Sequence, residues 1–402
     1  MTDSSPQSDV PPSATPTTPA PTSASGPAAE SQPQPQPSRR LPHIEGARAV
    51  AAFAVLLTHT AYDSGAVFKG VPGLFLAHLD WGVALFFVLS GFLLSRPWVR
   101  EVQLGARRPS VGRYFKHRLA RILPAYWVAL IAVLLTTGSG ASTRTIIDNV
   151  TLTQGYTGRF LPSFFQTWSL VTEVAFYIVL PLLAPLLIRK SKKTSLVLLG
   201  SVALIAYLWI FLVKGPLATT ITPVAISWLP GHLDWFCAGM ALAVLERALR
   251  TGAPQLRTFT RYPTLLLLLA LGFYGIAMLP WTGPIRIEET VTPTMAMSRE
   301  FLYGVVALLC MVAMLSAAAD RTLWGRALDS RVMRWAGRIS YAFFLWHTIM
   351  LTEVRNWLGY GIFGGGFWPS LAVTTALTLV VSQLSWILVE RSSLRLVGAS
   401  TK

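Results

Sequence analysis

The sequence predicts an all-α polytopic membrane protein, a bundle of about ten transmembrane helices with both termini in the cytoplasm. Three observations carry that prediction. Of the 402 residues, 52% are hydrophobic and only 13% charged, against roughly 25% charged in soluble globular domains. Uncharged runs of about 20 residues recur along the chain, the length that crosses a hydrocarbon core of about 30 Å. Finally, Lys and Arg alternate in abundance from one connection to the next, the pattern that sets membrane orientation.

Residues 1–40 are rich in Pro, Ser, Thr, Ala and Gln and hold no apolar run. Such a segment cannot bury enough surface to offset its ordering entropy, so it reads as a disordered cytoplasmic tail. It also lacks the apolar centre of a secretory signal peptide. Ten apolar segments follow, at about 44–63, 79–97, 119–138, 166–188, 194–213, 224–246, 262–280, 299–319, 338–358 and 369–391. Together they make one membrane domain over 41–391, with a short cytoplasmic tail at 392–402.

A cytoplasmic N-terminus leaves seven basic residues on the far side: Lys69, Arg144, Arg159, Lys214, Arg286, Arg299 and Arg355. The remaining 27 of the 34 Lys and Arg stay in the cytoplasm. So steep a bias favours an even number of spans. The connections on the far side, about 64–78, 139–165, 281–298 and 359–368, are the longer ones. Their aromatic residues, Phe164, Phe165 and Trp368 among them, suit an interfacial belt first and the border of a sugar or lipid site second.

The net charge of +16 does not point to nucleic acid, because the basic residues lie in short clusters between apolar segments. The bilayer is the partner they imply. Cys237 and Cys310 both sit inside apolar segments, so neither a disulfide framework nor a zinc site is expected. No internal repeat of the transporter kind is visible.

Arg48 and His59 are eleven residues apart in the first segment, which brings them within roughly 20° on a helix and about 16 Å apart along its axis. Arg48 alone would read as a positive-inside anchor, and His59 alone as a core histidine satisfied by a neighbouring helix. Asp63 follows one turn later, in position to orient the imidazole. In the second segment, Gly82, Ser90 and Gly91 offer small surfaces for close helix approach, and Ser90 lacks the flanking glycines of a nucleophile elbow.

Arg118 and Arg121 share a helix face at the cytoplasmic surface. They suit either topology or a bidentate cradle for the phosphates of a cytosolic cofactor. Glu173 lies inside an apolar helix, where a carboxylate is a functional candidate unless it is half of a structural ion pair. His232, Asp234 and His347 are further candidates, the last flanked by Tyr341 and Trp346.

Five stretches in order resemble the acyltransferase-3 family of integral membrane acyltransferases. They are the Arg48–His59 spacing, GVALFFVLSGFLL, HRLARILPAYW with Arg118 and Arg121, WSLVTEVAFY around Glu173, and ISYAFFLWH around His347. The resemblance runs from about Leu41 to Glu390. It implies transfer of an acyl group from cytosolic acyl-CoA, acetyl-CoA foremost, to a hydroxyl of an extracytoplasmic or membrane-bound acceptor. A glycan or glycolipid of the bacterial envelope is the first acceptor class, and the setting is the plasma membrane; a macrolide-type secondary metabolite is the alternative. Tandem members of the family carry a fused hydrolase-like domain, whereas this sequence ends after its tenth segment.

On that reading Arg118, Arg121 and Arg48 hold the donor's phosphates, and the extended pantetheine arm spans the distance toward His59. His59 then acts as general base or itself takes the acyl group. Glu173 orients the imidazole or stabilises its cation, and His347 is the competing base. No metal is required. The rival from another class is a proton-coupled transporter or flippase of a polar solute, which would also use buried Arg, His and Glu.

Overall fold

The computed structural model describes residues 41–283 and 290–398; the tail expected at 1–40 and the end of the C-terminal tail lie outside them. Among the described residues there is no strand, and ten helices of fifteen residues or longer fall on the ten expected segments in order. They are α1 (Pro42–Asp63), α2 (Trp81–Leu104), α3 (Val111–Leu135), α4 (Trp168–Leu187), α5 (Lys192–Lys214), α6 (Leu233–Thr251), α7 (Pro263–Ala277), α8 (Pro293–Leu315), α9 (Arg331–Leu358) and α10 (Phe367–Ser385). Six helical stretches are long and apolar enough by themselves to cross a membrane, those containing α2, α3, α4, α5, α8 and α10. The others fall short for local reasons. At 15 residues α7 is brief, while polar side chains interrupt α1, α6 and α9. These interrupted helices supply much of the bundle's buried chemistry.

The helix starts are written in short polar residues. Ser110, Ser191, Thr292 and Ser330 each accept a hydrogen bond from the backbone N–H three residues on, capping α3, α5, α8 and α9. At the other ends, Gly105, Gly252 and Gly359 terminate α2, α6 and α9 in the left-handed region that glycine enters without a Cβ clash.

In cross-section α2 is central and packs most extensively against α6. Both helices contribute a glycine to the crossing. A Cβ on Gly91 would overlap the Phe236 carbonyl, and one on Gly239 would overlap that of Val88. With the backbones this close, Phe236 is stacked between Phe87, at 4.6 Å between ring centroids, and Phe176 of α4, at 4.0 Å. Gly82 lies against the backbone of α1 at Ala51 in the same way. In lipid, where apolar contact gives no preference for a protein partner, such small-residue crossings and dispersion hold helices together. The outer helices show the complementary pattern. Leu204 and Leu208 of α5, and Leu268 and Leu271 of α7, present exposed apolar side chains, the surface a bilayer covers.

A second seam joins α1 to α9. Gly337 of α9 approaches so closely that any Cβ there would overlap the carbonyl of Glu45. This seam runs along both helices and carries the candidate site.

Candidate active site

The seam brings two of the expected residues together. His59 Nδ1 lies 2.8 Å from His347 Nε2, with the rings stacked at 5.0 Å between centroids and 12° between planes. On its other side, His347 Nδ1 is 2.6 Å from the Phe344 carbonyl. A carbonyl only accepts, so His347 carries its proton on Nδ1 and presents the Nε2 lone pair. His59 must then donate from Nδ1, which leaves its Nε2 lone pair free. Backbone geometry therefore dictates the tautomers of both rings. His347 is fully buried, whereas His59 is partly exposed.

Asp63 does not orient His59. One turn past the imidazole it accepts a hydrogen bond from Arg355 of α9, at 2.6 Å, and its backbone carbonyl takes the N–H of Phe363 at 2.8 Å. The aspartate fixes the ends of α1 and α9 to each other.

Arg48 and Glu173 meet across a cavity between α1, α2, α4 and α9, lined also by Phe86, Phe87, Ser340, Tyr341 and Phe344. Glu173 accepts a hydrogen bond from the Ser90 hydroxyl, which gives that serine a polar task besides packing. Glu173 is not bonded to His59; among the described residues His347 is the hydrogen-bond partner of that side chain. The two clusters adjoin at Phe344, which lines the cavity and whose carbonyl anchors His347.

Arg118 and Arg121 come from α3, and their charges, with that of Glu173, act on Arg48. The guanidinium Nε atoms of Arg48 and Arg118 are buried without a hydrogen-bond partner. Buried guanidinium groups with spare donors, as on Arg48 and Arg118, are able to pair with the oxygens of a polyanion. Glu390, which the sequence reading passed over, is buried at 1% exposure with both oxygens unpaired, and Arg121 and Arg48 are the cations acting on it. It ends a π-helical turn, Trp386–Glu390, that packs against α3. Such turns often mark functional positions. The available signal was a carboxylate at the end of an apolar run, next to Arg391.

His232 and Asp234 belong to a different cluster. His232 Nδ1 is 2.8 Å from Glu300 Oε1, and Asp234 accepts from the Tyr207 hydroxyl at 3.0 Å. Neither is bonded to the histidine pair. Among the described residues no three His, Cys, Asp or Glu side chains gather as metal ligands.

The connection between α3 and α4 folds over the His59 end. Asp148 accepts from Arg159 Nε at 2.5 Å and from Thr157 at 2.8 Å; the bond from Arg159, then that from Thr157, holds its carboxyl below the usual carboxylate range. The segment is stapled to α9 at three successive positions. Gln166 donates to the Leu345 carbonyl at 3.1 Å, Thr348 donates to the Ser163 carbonyl at 2.8 Å, and Ser163 donates to the Thr352 hydroxyl at 2.8 Å. To make these bonds Ser163 adopts φ +58°, a left-handed conformation costing a non-glycine residue about 1–2 kcal/mol. The result sets the Phe165 ring 5.1 Å from that of His59.

A family model described as an acyltransferase domain, that of the acyltransferase-3 family, matches residues 41–388. BcsY of Komagataeibacter xylinus, named as a membrane-bound transacylase, is 25% identical over 388 residues, covering 89% of this chain and 84% of the relative. The peptidoglycan O-acetyltransferase OatA of Listeria monocytogenes is 23% identical over 379 residues, covering 87% of this chain but 55% of the relative. No solved structure matches. The family match covers every helix that contributes to the His59–His347 pair and the arginine cluster, and the chain belongs to the acyltransferase-3 family of membrane acyltransferases.

Proposed function

We propose that the protein moves a short acyl group, acetyl first, from cytosolic acyl-CoA to a hydroxyl of an envelope glycan or glycolipid. In this reading the Arg48 end faces the cytoplasm and the His59 end faces out. Arg48, Arg118 and Arg121 bind the donor's phosphates, since clustered guanidinium groups pair with phosphate oxygens through several parallel N–H donors. The pantetheine arm enters the cavity between Arg48 and Phe344 and brings the thioester toward His59. Glu173, facing Arg48 across that cavity, keeps the guanidinium directed inward.

The oriented lone pair on His59 Nε2 carries the chemistry. His59 takes the acceptor's hydroxyl proton as the oxygen attacks the thioester carbonyl. The C–O bond forms, the C–S bond breaks, and the imidazolium returns its proton to the leaving thiolate. His347 holds the base in the productive tautomer, as an orienting partner does in other base-assisted acyl transfers. The acceptor class is supported by the relative named as a peptidoglycan O-acetyltransferase, of which the matched part is a little over half.

The test uses purified protein in proteoliposomes with radiolabelled acetyl-CoA and envelope glycan from cells deleted for the gene. His59→Ala is expected to lower kcat by about 10²–10⁴-fold, the usual range for losing a general base. Transfer surviving at the unaltered rate would remove His59 from the reaction.

A further inference from the structure

Phe165 stands beside the base without taking part in the hydrogen-bonded relay. Its ring is tilted 54° to that of His59 at 5.1 Å between centroids, so His59 is flanked by Phe165 and His347. Phe165 is nevertheless 50% exposed. The staples to Leu345, Thr348 and Thr352 hold the loop carrying it to the same helix as His347. An aromatic ring left uncovered by the protein on a segment pinned on both sides presents a flat apolar platform next to a free lone pair.

A polar pair completes the surroundings. Asp63 lies one turn, about 6 Å, past His59 on the same face of α1, and Arg355 reaches it from α9. Both side chains stay partly accessible, at 22% and 17%. The bond between them uses one carboxylate oxygen and one guanidinium nitrogen, so each keeps capacity for another partner.

We propose that this end of the α1–α9 seam is the acceptor's sugar subsite, in which a pyranose ring lies on Phe165, its hydroxyl rim reaches Asp63 and Arg355, and one hydroxyl meets His59 Nε2. The proposal rests on the glycan-acceptor reading above and adds the residues that choose the acceptor. A pyranose has an apolar C–H face and a polar rim, and the subsite offers an apolar platform beside a neutral donor–acceptor pair. An alkyl chain would make no use of the ion pair. A polyanion would meet the Asp63 carboxylate without a surplus of positive charge.

The experiment measures KM and kcat for both substrates in proteoliposomes. Acetyl-CoA is the donor, and the acceptors are glycan fragments and a glycolipid extract from cells deleted for the gene. Phe165→Ala is expected to raise the acceptor KM by about tenfold with the acetyl-CoA KM within about twofold, while Phe165→Trp stays within about threefold of the unaltered protein. An effect confined to the glycolipid or to the soluble glycan supports the subsite and names its source. An unchanged acceptor KM in Phe165→Ala overturns it. So does a fall in kcat with both KM values unchanged, which would make Phe165 a buttress for His59. If the unaltered protein consumes acetyl-CoA but acylates neither acceptor, the glycan reading itself fails and the subsite goes with it.

Discussion

Single residues decide where charge sits in this protein, and the sequence revealed them unevenly. Arg48, His59 and Glu173 stood out because a charge or an imidazole inside an apolar run is costly unless it has a task. Their partners were harder to read. Asp63 sits at the right helical spacing to serve His59, yet Arg355 takes it, because spacing along one helix says nothing of what a neighbouring helix brings. The His59–His347 bond joins residues 288 positions apart, a pairing no local pattern contains. Glu390 was hidden by its position at the end of a segment. Its charge is opposite to that of the arginines it faces and like that of a phosphate. Arg118→Ala and Arg121→Ala are therefore expected to raise the acetyl-CoA KM by about tenfold each, the scale of one charge-assisted hydrogen bond, and more than they raise the acceptor KM. Glu390→Gln should act in the opposite sense, lowering the acetyl-CoA KM by about threefold as one repulsive charge is removed from the mouth. Steady-state kinetics on the three variants checks both directions, and a rise in Glu390→Gln would mean that the carboxylate instead aligns the arginines.

At the scale of elements, helix positions were legible and helix crossings only partly so. Uncharged runs of about 20 residues mark membrane helices, and Ser or Thr caps mark their starts. Gly82 and Gly91 were legible as contact surfaces because they cluster with Ser90. Gly337 stands alone in a basic stretch, and nothing there discloses that the backbone of α1 passes over it. The crossing at Gly337 sets the register of the whole α1–α9 seam. Gly337→Val is expected to cost about 1–3 kcal/mol through overpacking against the Glu45 carbonyl. It should also lower kcat, although the residue touches neither substrate, because the two imidazoles depend on that register. A thermal melt in detergent read alongside kcat tests this. A stable protein with full activity would show that the seam can separate without disturbing the pair.

For the whole molecule, composition made the class plain: a chain with 13% charged residues and basic clusters between apolar runs belongs in a bilayer. The connection over the His59 end was legible only as a long loop, since its order comes from Asp148, Asn149 and Gln154 bonding across turns and to α3. Folding lowers the Asp148 carboxyl below its ordinary value of 3.8, so the stabilisation it gives is fully present above that pH and disappears as pH falls through the depressed value. Hydrogen-exchange protection over 143–167, taken relative to the intrinsic rate at each pH, should be equal at pH 7 and pH 5 and should fall only below 3.8. In Asp148→Asn exchange should be fast already at pH 7, and matching exchange in both proteins would show that other bonds hold the loop. The order of the helices along the chain has one more consequence, which concerns synthesis. At roughly 5–20 residues per second, a ribosome that has made His59 needs about 15–60 seconds to reach His347. Until α9 arrives, the nascent chain holds Arg48, Glu173 and the arginine pair but no partner to fix the tautomer of His59. On the proposed function, a growing polypeptide therefore has its phosphate-binding arginines before it has an aligned base, and thioester chemistry waits for the ninth helix.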